Sequence, residues 1–79
     1  VRYFAGARAA AGLDEELLEL PIGSTVADAV ALVAAKHDER LSRILAAASF
    51  LLDGVAVRDR TTGLPTAAQL DVLPPFAGG

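Results

Sequence analysis

The residues best placed to do chemistry are the last six of the chain, Pro74-Pro75-Phe76-Ala77-Gly78-Gly79. Pro74 and Pro75 fix their own φ and bias Leu73 and Pro74 toward extended backbone, so this segment is expected to leave the domain as a stiff arm. Fully extended, it would reach roughly 20 Å. Past Ala77 there is no Cβ, so the final peptide units can thread a channel too narrow for any other residue type. A carboxylate at the end of such an arm can be activated as a mixed anhydride by an enzyme that grips the arm.

The other chemistry-bearing residues offer less. The chain has no cysteine and no methionine, which excludes a disulfide scaffold, a thiolate metal site and a cysteine nucleophile. If this protein handles sulfur, the sulfur must ride on something other than a side chain. His37 is the only histidine and is expected at a solvated helix end, with no second metal-ligand residue beside it. Asp14, Glu15, Glu16 and Glu19 form a carboxylate cluster that reads as a solvated face rather than an acid and base pair. Ser24, Ser42 and Ser49 have no histidine at a spacing that suggests a base. No glycine-rich phosphate loop is present, so any ATP would be bound by a partner. The chain is expected to bind no cofactor or metal itself and not to be catalytic alone.

Composition narrows the setting. Seventy-nine residues allow one domain with one small core. A hydrophobic fraction of 53% is more than that core can absorb, so an apolar binding patch is expected outside it. The net charge of -3 argues against a nucleic-acid partner, which needs clustered cations. No apolar run approaches 18 residues and no leader pattern opens the chain, so the reading is cytoplasmic, with no membrane partner.

Residues 1–5 read as a strand with Val1 and Tyr3 on one face and Arg2 and Phe4 on the other. Residues 6–12 suit a loop or a single helical turn, and residues 15–20 a second strand antiparallel to the first. Thr25 followed by Asp28 predicts an N-cap, with a helix to about residue 37 whose apolar face is Val26, Ala29, Val30 and Val33. Residues 38–48 predict a weaker helix. Phe50-Leu51-Leu52, Asp53-Gly54 and Val55-Ala56-Val57 predict a hairpin, and residues 69–73 the last strand.

This order predicts an α+β fold of the β-grasp, ubiquitin-like type, a mixed sheet of four to five strands with one main helix packed on one face. Residues 1–73 would form the domain and residues 74–79 an extended tail. If Leu70 and Val72 face the helix, Leu73 shares the outer face with Phe4, and Phe76 continues that apolar patch.

The chain resembles the small subunit of molybdopterin synthase, the MoaD family of sulfur carriers, over its whole length. The marks are Val1-Arg2-Tyr3-Phe4-Ala5, Thr25-Val26, Asp53-Gly54 and, most specifically, Leu73-Pro74-Pro75-Phe76-Ala77-Gly78-Gly79. One departure is Thr66-Ala67-Ala68, where the family commonly has an Asp-Gly-Asp turn. The resemblance implies that an adenylyltransferase activates the terminal carboxylate with ATP and a sulfur donor then converts it to a thiocarboxylate. The synthase large subunit would use that group to deliver sulfur to the pterin precursor of molybdopterin. Gly79 would carry the sulfur and Gly78 permit threading, while Phe4, Leu73, Pro74, Pro75, Phe76 and Ala77 would contact partners. Competing readings are a thiamine-pathway sulfur carrier, which generally lacks the two prolines, a ubiquitin-like protein modifier, and a plain β-grasp binding module.

Overall fold

The computed structural model describes residues 1–74. Its elements in chain order are β1 (Arg2–Tyr3), α1 (Ala5–Ala11), α2 (Val26–Lys36), α3 (Glu39–Ala47), β2 (Ser49–Leu52), β3 (Val55–Ala56) and β4 (Leu70–Leu73). The four strands form one mixed sheet in the order β1-β4-β2-β3, with β1 parallel to β4 and the other neighbours antiparallel. The first and last strands are thus neighbours.

Local chemistry accounts for most boundaries. The Thr25 side chain accepts a hydrogen bond from Asp28 N, and the Asp28 carboxylate accepts one from Thr25 N, a reciprocal capping box that starts α2. Asp38 caps α3 by accepting from Leu41 N. The Asp53-Gly54 turn has φ of 48° and 85°, the doubly left-handed geometry that matches strand twist in a tight hairpin. Asp53 then pins this turn to the root of β4: its N–H donates to Gln69 O and its Oδ1 accepts from Gln69 N, both at 2.8 Å.

Two sequence expectations are corrected. Residues 5–11 form a two-turn helix, α1, which buries Ala7 and Ala11 and ends on Gly12 at φ 79°. Its N-cap Phe4 makes no side-chain capping bond, so no start signal was there to read. Residues 15–20 do not form a regular strand. Tyr3 N donates to Asp14 O, Glu16 N to Val1 O and Val1 N to Glu16 O, giving a single antiparallel bridge, Arg2 with Glu15.

The core is one cluster: Tyr3, Phe50, Leu70 and Val72 from the sheet against Ala7, Ala11, Val26, Ala29, Val33, Leu41 and Leu45 from the three helices. Val30 packs at its margin. No helix among the described residues is long and apolar enough to cross a membrane.

Candidate functional site

The register of the sheet sorts its residues onto two faces. Tyr3, Val72 and Phe50 are aligned and buried toward the helices. One residue along each strand, Arg2, Asp71, Leu51 and Ala56 are aligned on the outer face. Phe4 and Leu73 belong to that outer face, in the next row toward the tail. Phe4 is 36% exposed, and its N–H donates to Val72 O at 3.2 Å, which ties it to β4 beside the tail root. Leu73 is half-buried and Pro74 is buried. The remaining expected site residues, Pro75, Phe76, Ala77, Gly78 and Gly79, lie outside the described residues.

Sequence reasoning missed what sits between these apolar groups. Asp71 is 4% exposed and forms a two-pronged ion pair with Arg2, whose Nε donates to Oδ1 at 2.8 Å and whose Nη2 donates to Oδ2 at 3.0 Å. The hydrogen bond to Asp71 holds the guanidinium more firmly protonated than usual. Arg2 Cζ also lies 5.4 Å from the centroid of the Phe4 ring, a cation–π contact. The signal available was Asp71 itself, an acid in the middle of an otherwise apolar strand at the parity that faces away from the core.

A second polar cluster ties β1 to the end of α2. Glu16 Oε1 accepts from the Tyr3 hydroxyl at 2.7 Å and lies 2.8 Å from His37 Nε2, while Oε2 is 3.5 Å from Lys36 Nζ. The expectation of a solvated His37 is overturned, since its side chain is only 13% exposed and meets the Tyr3 ring edge-on at 6.1 Å. Glu16 likewise leaves the expected solvated carboxylate face, with a side chain 16% exposed. Burial works against ionisation of Glu16, but the hydrogen bonds from His37 and Tyr3 outweigh it and hold the carboxyl below its ordinary value. Burial, helped by the bond to Glu16, pushes the Tyr3 hydroxyl well above its own.

These groups satisfy one another, and none of the three serines adjoins the histidine in a hydrogen bond. The cluster is a structural tie rather than a nucleophile and base. Among the described residues no group of three His, Cys, Asp or Glu is arranged to hold a metal. An apolar groove of about 270 Å³, lined by Leu18, Leu20, Leu64 and Leu70, opens at the start of β4, away from the tail root.

The fold is shared with a solved protein. The crystal structure of SAMP1 from Haloferax volcanii superposes with a TM-score of 0.84 at 23% identity, covering 99% of this chain and 94% of that one. At that identity the likeness establishes the β-grasp fold. Comparison with curated proteins gives no match. A family model, that of the ThiS family, matches residues 1–79, from the first strand to the Gly-Gly tail. The chain therefore belongs to the ThiS family of ubiquitin-like, β-grasp sulfur carriers.

Proposed function

We propose that this sulfur carrier serves molybdenum-cofactor biosynthesis as the small subunit of molybdopterin synthase, with Gly79 as the residue that carries the sulfur. The observation that carries the reading is the Pro74-Pro75-x-x-Gly78-Gly79 ending, which continues directly from β4. Supporting it is the placement of Phe4 and Leu73 on one face beside the root of that tail. On an adenylyltransferase that binds ATP, the Gly79 carboxylate attacks the α-phosphorus of the nucleotide and forms an acyl-adenylate with release of pyrophosphate. Hydrosulfide released by a sulfur donor then attacks the acyl carbon and displaces AMP, leaving the thiocarboxylate. The large subunit docks on the outer face, receives the arm, and transfers the sulfur to the pterin precursor. Gly78 contributes passage: a methyl group there would meet the channel wall.

The same acyl chemistry would serve a thiamine-pathway acceptor, the reading that the family's name favours; Pro74 and Pro75 weigh against it. Incubating the protein with the activating enzyme, ATP and a sulfur donor should replace one oxygen by sulfur in the C-terminal peptide. Supplying the thiocarboxylate to each acceptor system then separates the pathways. Sulfur gained at an internal residue, or turnover only with the thiamine-pathway acceptor, would refute the proposal, and isopeptide-linked products would assign the chain to protein modification instead.

A further inference from the structure

The outer face holds an ion pair that lies outside the apolar core cluster. The Asp71 side chain is 6% exposed, although Leu70 and Val72 on either side already supply the strand's core contacts. The carboxylate gives up its hydration while the guanidinium keeps much of its own, and replacing a pair that contains a buried charge with well-packed apolar side chains is commonly neutral or stabilising. Arg2 spends Nε and Nη2 on the two carboxylate oxygens, and its Nη1 makes no hydrogen bond among the described residues while the side chain stays 43% exposed. The guanidinium is thus braced by a carboxylate and by the Phe4 ring, with part of its fork unspent. A donor fixed in this way loses little freedom when it is bound.

We infer that Arg2 is a contact residue of the docking face, donating from Nη1 to a backbone carbonyl of the synthase large subunit, and that Asp71 is its positioning residue. The inference rests on the function proposed above. A carbonyl fits better than a carboxylate, because Asp71 already cancels the guanidinium charge and a second acid would crowd two anions around one cation. Phe4, Leu51 and Leu73 flank the pair on its β4 side, where docking strips water from the contact and makes the hydrogen bond count. On the other side Glu15 stands opposite Arg2 in the antiparallel bridge and adds a second negative charge, which disfavours an incoming carboxylate further.

Titration calorimetry against the large subunit tests this, with the melting temperature of each free variant measured alongside. Arg2→Met should weaken binding about tenfold or more. Asp71→Asn, which loosens the fork without removing it, should raise the KM of sulfur transfer and leave kcat unchanged. The paired substitution Arg2→Leu with Asp71→Leu should melt at or above the wild-type temperature and still bind as weakly as Arg2→Met. Wild-type affinity in that double variant would overturn the inference while leaving the proposed function standing. A wild-type protein that does not bind the large subunit at all would overturn both. Steep loss of wild-type affinity with added salt would identify a carboxylate as the acceptor and overturn the carbonyl assignment.

Discussion

On the core face of the sheet Tyr3, Val72 and Phe50 stand in register, each no more than 3% exposed; one residue along, on the outer face, Arg2, Asp71 and Leu51 stand around an ion pair with Phe4 36% exposed nearby. All three helices spend their buried residues on the core face. The difference teaches that adjacent residues of one strand answer to separate demands. Core-face residues hold the domain together, whereas outer-face residues are largely free of that demand. Substitutions on the two faces should therefore separate stability from binding.

The largest effect is expected on the core face. Phe50 is 3% exposed, with the Arg60 guanidinium 4.8 Å from its ring centroid, and Arg60 in turn donates to Leu45 O and Ala48 O at the end of α3. Phe50→Ala should cost about 3 to 5 kcal/mol in denaturant unfolding, a large share of the stability of so small a domain. Its outer-face counterpart is Phe4→Ala, which should shift the melting temperature only slightly and weaken association with the large subunit by roughly 30-fold, or about 2 kcal/mol. Unfolding of Phe4→Ala with normal binding by the folded remainder would erase the distinction between the faces.

The tie behind the core face should show in the pH dependence of stability. Glu16 has a depressed pKa, so its contribution is present above the ordinary value of 4.5 and is lost as pH falls through the folded value. Tyr3 has a raised pKa, so its contribution is full below the ordinary value of 10.0 and is lost as pH rises through the folded value. Melting temperature against pH should therefore fall at both ends, with Glu16→Gln flattening the acid limb and Tyr3→Phe the alkaline limb. An acid limb unchanged in Glu16→Gln would show that other carboxylates govern it.

The smallest effect concerns the turn that feeds β4. Ala67 sits at φ 58°, a left-handed conformation, at the position where the resembling family commonly has glycine. The turn thus keeps its backbone shape at a steric cost to alanine. Ala67→Gly should relieve that cost and raise stability by about 0.5 to 1 kcal/mol, less what the added unfolded-state freedom of glycine takes back. Destabilisation on chemical denaturation would mean that the methyl group contributes packing the turn depends on.

What could be read from the sequence was what neighbours decide. Thr25 and Asp28 are three residues apart and cap each other, and Asp53-Gly54 sets its own turn, so α2 and the β2–β3 hairpin were legible. Strand parity placed Phe4 and Leu73 outside the core. What escaped was made by distant residues. His37 and Glu16 are 21 residues apart, and only the fold, which sets the end of α2 beside the segment bridged to β1, brings them to 2.8 Å. Arg2 and Asp71 are 69 apart and meet because the first and last strands run parallel as neighbours. Helix α1 escaped for a different reason, since an alanine-rich stretch without a capping side chain gives no local sign of where a helix begins.

The central claim, that a thiocarboxylate at Gly79 is the sulfur delivered to molybdopterin, is tested most directly by following the mass of the C-terminal peptide through one round of transfer. The thiocarboxylated protein is mixed with the large subunit and the pterin precursor, and the peptide and the pterin product are measured together. The account predicts that sulfur leaves Gly79 and the carboxylate returns, in step with sulfur appearing on the pterin. A thiocarboxylate that persists while the pterin gains sulfur, or that decays without sulfur reaching the pterin, would contradict it.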